Sequence, residues 1–507
     1  MEAWIRVVAP SVGEYQGIAV SRRLTQRIIQ LSLNPYIAEC ARRIERGGSE
    51  SAIDETVFWC GGLIIDPRTG CVRLTLWRLI ESFFESFFHW IHVLLSFGSS
   101  MFVLAMARRG RATLLFGVGA ESLVAQGDDA RFIEFCRAGR VTPLAKASRI
   151  IVQAVGRVNQ TDGAFAEYAR FPLFSLLREN RPRIREVIRF LAAHGRSFFR
   201  YVVAVLRFPL VSIVGRDFAY HALVEWVNRQ GLIENVVITN SNYSAQPLWM
   251  SDLENRKFET HMVWYSQNSI PLTYAADGIE SDVPNFRYIR VDQSWVWTEA
   301  FGKYLQKLGI QGTFHAVGPI MWYLHKPKTE QRVNDQVRIA VFDVTPFSPE
   351  AASHLGFVHN YYKIENLARF VEDILEVRAA LEARISKSVC VLLKHKRSYH
   401  PLHDRRYIDL IDNVDRSKRH LIVVPPETDI FELIAGSDLA VVIPYSSPAY
   451  IADELGVPAI YYDPAGELLP THIVAPNVEF VTGRENLLQK VIGVVSGKGG
   501  FKPKTGA

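Results

Sequence analysis

The stretch VVIPYSSPAYIADELGVPAIYYD, residues 441–463, decides the fold class of this chain. Two apolar runs typical of buried strands flank a short segment with the spacing of a helix. Pro448 suits the first position of that helix, and Gly456 suits its end. A strand, a helix and a second strand in so short a space predict two parallel strands joined by a crossover helix.

The same alternation extends over the C-terminal third of the chain. The amphipathic segment 363–385 predicts a long helix, and apolar runs predict strands at 337–344, 388–396, 420–426, 439–445 and 458–463. These runs are apolar at successive positions, which is typical of strands buried on both faces. We therefore expect an α/β doubly wound parallel sheet here.

A second alternation precedes this one. Segments 218–231 and 294–309 predict helices, and strands are expected at 111–122, 235–243, 259–269, 286–292 and 313–322. A polar segment without apolar period follows and predicts a linker at 326–336. The sequence thus predicts two Rossmann-type domains facing a central cleft, in 1–325 and 337–495, and a flexible tail at 496–507. Ligands of such sheets bind outside the carboxyl ends of the strands.

Composition sets limits on the class of protein. A chain of 507 residues is too long to fold around one compact core, so about two to three domains are expected. The five cysteines form no Cys-x-x-Cys pair, which argues against a disulfide framework or a zinc site and favours a reducing compartment. The first residues lack a basic region followed by a long apolar core, so no signal peptide is predicted.

Two segments of the first domain, at about 79–107 and 181–216, bear on membranes. Residues 86–107 carry no formal charge, and a buried helix followed by a strand is the favoured interpretation. A membrane span and an interfacial helix are the alternatives. Residues 181–216 hold eight arginines against Glu186, with aromatic residues between them. This pattern favours contact of the Arg181–Arg216 region with an anionic inner-membrane surface, the alternative being a solvated basic face. No nucleic-acid-binding module accompanies these arginines.

Candidate donor-binding residues follow the strands of the C-terminal domain. Ser446 and Ser447 end one strand, where they either cap the next helix or, with its free N–H groups, bind a phosphate. A basic cluster ends another strand and favours an anionic ligand; its members are Lys394, His395, Lys396, Arg397 and His400. Asp343 lies inside a predicted strand, as a core acid or a ligand-facing group. Glu427, Thr428 and Asp429 lie at another strand-to-helix turn, where they either form the N-cap or line a base or ribose pocket with their backbone.

Uncharged polar residues follow two strands of the N-terminal domain and suit a hydroxyl-rich acceptor; they are Asn240, Asn242, Gln267 and Asn268. The next loop carries Asp277, Glu280 and Asp282, any of which is a candidate base for an acceptor hydroxyl. The chain has no dinucleotide fingerprint, no P-loop and no Asp-x-Asp motif, so we expect no metal and no cofactor.

These motifs, mainly over 235–480, resemble those of GT-B glycosyltransferases of bacterial surface-polysaccharide synthesis, capsule and lipopolysaccharide included. The likeness is closest to enzymes with CMP-activated acidic sugars, the Kdo transferases and sialyl- and polysialyltransferases, in which a serine pair and a His-Pro motif bind CMP. Ser446 and Ser447 match the serine pair, and either His400–Pro401 or His395 matches the histidine. The resemblance also implies a catalytic acid beside a glycine, for which Asp277 is a partial match.

The resemblance implies a metal-independent glycosyltransferase. Its donor would be CMP-Kdo or another CMP-linked acidic sugar, and its acceptor a surface glycan or a lipid-linked glycan. A CDP-glycerol-type polymer transferase, a UDP-sugar GT-B enzyme, a two-domain epimerase and a non-catalytic nucleotide-sugar-binding scaffold are the alternatives. We expect the protein in the cytoplasm, peripherally associated with the inner membrane.

Overall fold

A computed structural model gives the arrangement of most of the chain. It describes residues 23, 24, 27, 58–60, 63–66, 71–102, 110–117, 138–153, 166–169, 171–180, 182–239, 246–252, 255–264, 272–278, 286, 289–320, 336–349, 361–385, 387–395, 399, 402–416, 421–425, 428–471 and 478–497.

Three short antiparallel strands come first in the described chain: β1 (Phe58–Cys60), β2 (Leu63–Asp66) and β3 (Cys71–Leu74). A parallel seven-stranded sheet follows, made of β4 (Ala112–Phe116), β5 (Ile150–Gln153), β6 (Ala166–Ala169), β7 (Ile233–Thr239), β8 (Glu259–Val263), β9 (Gln293–Val296) and β10 (Thr313–Ala316). In space the order is β10-β9-β8-β7-β4-β5-β6. Strands β5 and β6 follow β4 on one side of the sheet, and strands β7 to β10 follow on its other side. The strand order therefore reverses its direction between β4 and β7.

The C-terminal sheet has six parallel strands: β11 (Gln336–Phe342), β12 (Ser388–Lys394), β13 (Leu421–Val424), β14 (Leu439–Val442), β15 (Ala459–Asp463) and β16 (Val478–Thr482). Their order is β13-β12-β11-β14-β15-β16, so the reversal falls between β11 and β14. Numbered along the chain this is 3-2-1-4-5-6, the order of dinucleotide-binding sheets, and the N-terminal sheet repeats it with one further strand. The predicted class, α/β with two Rossmann-type doubly wound sheets, is confirmed.

Helices lie between the strands. Those of the N-terminal half are α1 (Leu76–Ser100), α2 (Thr142–Ala145), α3 (Pro172–Glu179), α4 (Ile184–Arg207), α5 (Gly215–Arg229), α6 (Leu248–Asp252) and α7 (Glu299–Lys307). Those of the C-terminal half are α8 (Ile364–Glu382), α9 (Arg405–Arg416), α10 (Ile430–Ala435), α11 (Pro448–Glu454) and α12 (Arg484–Val495). The predicted helices at 218–231 and 363–385 correspond to α5 and α8.

One strand boundary was predicted wrongly. The expected strand at 286–292 is absent among the described residues of that segment, and β9 instead occupies Gln293–Val296, whose last three residues were assigned to the next helix. Trp295 and Val296 are buried between β8 and β10. Helix α7 begins only after Thr298, whose hydroxyl accepts a hydrogen bond from the Phe301 N–H at 3.2 Å. A threonine cap therefore separates a strand and a helix that look continuous in sequence.

The two halves touch through backbone and side chains. The Ala275 N–H donates to the Glu467 carbonyl at 2.8 Å, and the Leu469 N–H donates to the Thr273 carbonyl at 2.9 Å. Trp297, which follows β9, meets the edge of Tyr450 in α11, with ring centroids 5.7 Å apart. The carboxyl edges of the two sheets therefore adjoin at this point.

Helices α1 and α4 form an antiparallel pair joined by aromatic contacts. Near one end Phe83 stacks on Tyr201 with ring centroids 5.9 Å apart, and near the other end Phe97 stacks on Phe190 at 3.6 Å. Between these contacts, Trp90 lies 4.6 Å from the ring of His194. Both helices also pack on α5.

The outward side of this pair is apolar. Trp77 and Phe88 are 72% and 68% exposed, although large aromatic side chains are usually buried. The exposed apolar face, as we name it, consists of Leu76, Trp77, Ile80, Phe84, Phe87, Phe88, Ile91, Leu94, Leu95, Ile184, Ile188, Leu191, Phe199 and Leu206. The expectation of a helix within 86–107 is confirmed, but the expectation that it is buried was wrong for this face. Among the helices that the structure describes, none is long and apolar enough to cross a membrane.

Candidate functional site

The reversal point of the C-terminal sheet brings three chain segments together. The last residue of β11, Phe342, pairs with Lys394 at the end of β12 and with Val442 in β14. Asp343 and His395 are the next residues along the first two strands, so strand register places them side by side. Both are buried, at 2% and 3% exposure. A doubly wound sheet binds its ligands at this edge.

A hydrogen-bond network joins these two residues to two tyrosines. Asp343 Oδ2 lies 2.8 Å from His395 Nδ1 and accepts a hydrogen bond from the Tyr407 hydroxyl. The Tyr399 hydroxyl lies 3.2 Å from His395 Nε2. With Asp343 Oδ2 at Nδ1, the other ring nitrogen, Nε2, faces the Tyr399 hydroxyl. This arrangement orients an imidazole for proton transfer or for an anion.

Two polar atoms at the end of β11 have no hydrogen-bond partner within the described chain. They are Asp343 Oδ1 and the Thr345 hydroxyl oxygen, both buried. A buried polar atom without a partner calls for an explanation, such as a bound water or a ligand group. Burial first, and then the Asp343 carboxylate, raise the pKa of Tyr407 well above its usual value, so this phenol stays a proton donor. Asp343 is therefore both a core acid and a member of the candidate site.

The segment after β14 carries the two serines on a strained turn. Tyr445 has a left-handed φ of 64°, which costs about 1–2 kcal/mol for a residue other than glycine. Its hydroxyl donates to the Leu469 carbonyl at 2.8 Å and accepts from the Thr471 N–H at 3.1 Å, which ties the turn down. The Tyr461 hydroxyl donates to the Ser446 carbonyl at 3.0 Å. The backbone that presents the serines is thus held rigidly.

Ser447 occupies the N-cap position of α11, and Pro448 is the first residue of this helix. The Ser447 hydroxyl makes no capping hydrogen bond. The capping interpretation therefore holds for the position and not for the side chain. Ser446 is buried and Ser447 is half-buried at the edge of the sheet.

The other predicted donor-binding residues are placed in part. Lys394 is the buried last residue of β12, next to His395. Thr428 is half-buried before α10, where Asp429 is the cap and accepts from the Phe431 N–H at 2.7 Å. Lys396, Arg397, His400 and Glu427 lie outside the described residues.

Most predicted residues of the N-terminal domain also lie outside the described residues, namely Asn240, Asn242, Gln267, Asn268, Glu280 and Asp282. Asp277 is exposed on a turn that the Gly278 N–H closes on the Tyr274 carbonyl at 2.8 Å. Tyr274 forms a β-bridge with Leu468, so Asp277 lies beside the contact of the two halves.

Two groups of residues were not predicted from the sequence. Tyr399 and Tyr407 complete the network around Asp343 and His395. Tyr407 reaches Asp343 from 64 residues away in the chain, whereas Tyr399 lies only four residues after His395 and was not singled out within the basic cluster. The second group lines a cavity of about 260 Å³ at the β4–β7 reversal of the N-terminal sheet. It includes Arg23, Arg27 and Arg216, of which only Arg216 belongs to the predicted arginine-rich segment. No group of three His, Cys, Asp or Glu side chains in the described part of the chain is arranged to hold a metal ion.

Comparison with solved structures finds distant likenesses. The lipopolysaccharide outer core galactosyltransferase WaaB in its apo form is 10% identical with a TM-score of 0.36, over 77% of this chain and 91% of its own. Sucrose-phosphate synthase from Thermosynechococcus elongatus is 14% identical with a TM-score of 0.41, over 76% of this chain and 90% of its own. The wall teichoic acid polymerase TagF is 12% identical with a TM-score of 0.34, over 76% of this chain and 81% of its own. These values are too low to support an inference about activity.

No curated protein matches the chain. A family model does match it, and its description is "Polysaccharide biosynthesis PFTS motif protein". The match spans residues 200–491, which include the last turns of α4, all of α5, strands β7–β16 and both edges at the Tyr274–Leu468 bridge. Since this is more than half of the 507 residues, the chain belongs to the PFTS-motif family of polysaccharide biosynthesis proteins.

Proposed function

We propose that this chain is a glycosyltransferase that moves a sugar from a nucleotide-activated donor during polysaccharide synthesis. The observation that carries the proposal is the buried Asp343–His395 pair beside Ser446 and Ser447 at the β11–β14 reversal. Doubly wound sheets bind nucleotides at this point, and the family of the chain supports a role in polysaccharide synthesis.

The chemistry to be served is departure of the nucleotide from the sugar carbon, which leaves negative charge on a phosphate oxygen. In the proposal, His395 is held by Asp343 and directs Nε2 toward that oxygen, while Lys394 adds positive charge. The serine hydroxyls donate hydrogen bonds to the same phosphate. Preorganised donors of this kind stabilise developing charge, the role that a metal ion takes in other transferases. The proposal includes no metal and no cofactor.

The acceptor would bind on the N-terminal half, with Asn240, Asn242, Gln267 and Asn268 as hydrogen-bonding groups. A carboxylate among Asp277, Glu280 and Asp282 would take the proton of the attacking hydroxyl. The position of Asp277 beside the Tyr274–Leu468 bridge supports this assignment, because the bridge joins the two halves at their adjoining edges.

For the donor we propose CMP-Kdo or another CMP-linked acidic sugar, on the likeness of the serine pair and the histidine to the CMP-sugar enzymes. A CDP-glycerol-type donor and a UDP-sugar are the alternatives within the same site. A non-catalytic scaffold that binds nucleotide sugars would use the same residues and would turn over no donor.

Thermal unfolding of the full chain with CMP, CDP, CDP-glycerol, UDP and GDP tests the proposal. A nucleotide at 100 times its Kd adds about 2.7 kcal/mol to the free energy of unfolding, which gives a measurable rise in Tm. We expect the largest rise with CMP, and we expect Ser447→Ala and His395→Ala to abolish it. Ser437→Ala is the matched control, since this buried serine of the same domain bonds the Leu433 carbonyl in α10.

No stabilisation by any nucleotide at millimolar concentration would refute the nucleotide site. A rise with UDP alone would discard the acidic-sugar donor, and a larger rise with CDP-glycerol than with CMP would favour the polymer transferase. Stabilisation by nucleotide without hydrolysis or transfer of any donor sugar would favour the scaffold.

We also infer that the exposed apolar face lies on the cytoplasmic surface of the inner membrane. Successive residues of a helix are about 100° apart, so the arginines of α4 fall on one stripe directly beside its exposed apolar residues. The members of this stripe are exposed: Arg185, Arg189, Arg196, Arg200 and Arg207. An apolar surface bordered by cations is complementary to anionic lipid headgroups over an acyl layer.

Co-sedimentation with vesicles tests this contact. We expect binding to vesicles containing phosphatidylglycerol, weak binding to pure phosphatidylcholine, and release at high salt because screening removes the charge attraction. Each arginine near the surface contributes about 1 kcal/mol, so replacing Arg196 and Arg200 by Gln should weaken binding about 30-fold. Arg405→Gln is the control, because this arginine is exposed on α9 in the C-terminal half, away from α4. Equal binding to both vesicles, or none to either, would contradict the inference.

A further inference from the structure

A cavity of about 700 Å³ lies at the outer edge of the N-terminal sheet, beside β10. Its walls come from residues 139–142 at the start of α2, from strands β9 and β10, and from one face of α7. The volume falls within the range of pockets for small molecules, roughly 300–1,000 Å³. The cavity is therefore large enough to hold a ligand of small-molecule size.

The edge strand presents backbone groups to the cavity. The Thr313 N–H donates to the Asp292 carbonyl at 2.8 Å, at the start of the pairing between β10 and β9. The Val317 N–H donates to the Val296 carbonyl at 2.9 Å, just after its end. Alternate residues of a strand direct their N–H and C=O groups to the same side, so those of 314 and 316 point away from β9. Both residues line the cavity, whose wall therefore offers backbone donors and acceptors.

Polar side chains add to these backbone groups. Lys303 and Gln306 are exposed on the face of α7 that lines the cavity, and Thr142 belongs to the wall formed by α2. The half-buried His315 ring stacks on Trp295 with ring centroids 4.4 Å apart and forms a flat part of the wall. An amide and a hydroxyl both donate and accept hydrogen bonds, so this lining suits a ligand whose own groups do the same, as hydroxyls do.

Positive and negative charges on the described walls are balanced. Arg140 Nη2 lies 3.0 Å from Glu454 Oε1, and Lys303 and Glu299 lie about one turn apart on α7. A surplus of one sign would favour a ligand of the opposite charge. Balanced charges among groups that donate and accept favour a neutral ligand rich in hydroxyls.

The Arg140–Glu454 pair also relates the cavity to the proposed nucleotide site. Glu454 is the last residue of α11, and Ser447 precedes the first residue of the same helix. A helix of seven residues is about 10 Å long. The cavity therefore lies about the length of one short helix from the serine pair. This separation places it away from the reacting sugar carbon but within reach of a chain attached to the reacting group.

We propose that the cavity at the β10 edge binds the neutral, hydroxyl-rich part of an acceptor glycan that lies behind the reacting end. The inference deepens the proposed function and rests on it for the identity of the ligand as a glycan. Contacts remote from the reacting atoms contribute to catalysis because they hold the reacting end in place. Affinity should therefore rise with the length of the acceptor.

An array of immobilised oligosaccharides of one to six sugars, neutral and acidic, from bacterial surface polysaccharides tests the proposal. We expect the full chain to bind at least one neutral series, more tightly as its length increases. Lys303→Ala combined with Gln306→Ala should weaken this binding at least tenfold, because both changes remove hydrogen-bonding groups from the wall. The matched control is Lys490→Ala combined with Gln489→Ala, at exposed positions of α12 in the C-terminal half.

An equal loss in the two double variants, or unchanged binding by the Lys303–Gln306 variant, would overturn the site. A preference for acidic over neutral glycans would overturn the class of ligand. No binding to any glycan would overturn the proposal and would favour an extended peptide, which pairs with a strand edge through backbone groups. The rise in Tm with CMP should persist in the Lys303–Gln306 variant, so failure of this site and failure of the nucleotide site are separate results.

Discussion

At the β11–β14 reversal a carboxylate, an imidazole and two phenols are joined by hydrogen bonds, with Asp343, His395 and Tyr407 buried. At the β4–β7 reversal of the other sheet, three guanidinium groups and one carboxylate line a cavity. The two sheets share the strand order 3-2-1-4-5-6, so topology places both sites and the side chains decide their chemistry.

Substitutions at the two sites should differ in their effect on stability. Removing a member of the buried network leaves its partners unsatisfied inside the protein, whereas the Arg216 side chain is exposed and lies over the face of the Tyr220 ring. The C-terminal site should therefore be coupled to folding, and the N-terminal site should tolerate substitution.

The largest effect is expected from Asp343→Ala. The Tyr407 hydroxyl and His395 Nδ1 would both lose their buried acceptor, at a cost of about 3–5 kcal/mol in the free energy of unfolding. Arg216→Ala should cost about 0.5 kcal/mol or less. Urea unfolding of both variants measures the difference. Similar losses in the free energy of unfolding for the two variants would contradict the expected difference between the sites.

The second prediction compares the buried histidines of the two sheets. His395 is held by a carboxylate, whereas His261 accepts from the Trp295 Nε1–H at 3.3 Å and lies 3.1 Å from Asn235 Oδ1. Burial is the main cause that lowers the pKa of His261 from 6.5 to about 4. The unfolded chain therefore binds this proton at a higher pH than the folded one, and stability is lost as pH falls from about 6.5 to about 4.

A shift of this size corresponds to about 3 kcal/mol at most. Urea unfolding of the native chain and of His261→Gln at pH 7 and pH 4.5 checks it, and the variant should lose less stability on acidification. Burial also lowers the pKa of His89 to about 4, so part of the acid sensitivity should remain. An unchanged pH dependence in His261→Gln would contradict the assignment.

The smallest effects concern ion pairs. Arg149 is largely buried and bonds Glu167 Oε2 and Glu179 Oε1, each at 2.6 Å, which ties β5, β6 and α3 together. Arg149→Met should cost about 2 kcal/mol, since four charge-assisted hydrogen bonds, two to each carboxylate, are lost.

The matched surface pair is Arg484 with Glu376 in the C-terminal half, where both side chains are more than half exposed. Arg484→Met should cost less than about 1 kcal/mol, because water and salt screen exposed pairs. Urea midpoints of the two variants rank them. A larger loss for Arg484→Met would reverse the expected order.

Much of the fold was accessible from sequence because most of its strands are uninterrupted apolar runs. The run at 439–445 and the alternation after it defined the C-terminal sheet, and strand register then made Asp343 and His395 neighbours. Strands β5 (Ile150–Gln153) and β6 (Ala166–Ala169) were not predicted, and β6 carries a glutamate within its four residues instead of an uninterrupted apolar run. Tyr407 was missed because it reaches Asp343 from 64 residues away in the chain.

The face of α1 was misjudged for a different reason. An uncharged run indicates that a helix is apolar but does not show which of its faces is buried. The exposed face of α1 is defined only by the packing of this helix on α4 and α5. The cavity lined by Arg23 and Arg216 was likewise not predicted, because these two residues are far apart in sequence. Arg23 forms an ion pair with Asp217, the residue that follows Arg216.

The backbone bridge between 273–275 and 467–469 constrains how the two halves can move. Two main-chain hydrogen bonds join them there, and Asp463 anchors the adjoining turn by accepting from the Leu468 N–H at 2.9 Å and from the Tyr361 hydroxyl at 2.9 Å. A joint of this kind resists separation of the halves along its hydrogen bonds but permits rotation about them. Any rotation of one half relative to the other would therefore keep Tyr274, Leu468 and the neighbouring Asp277 close to its axis.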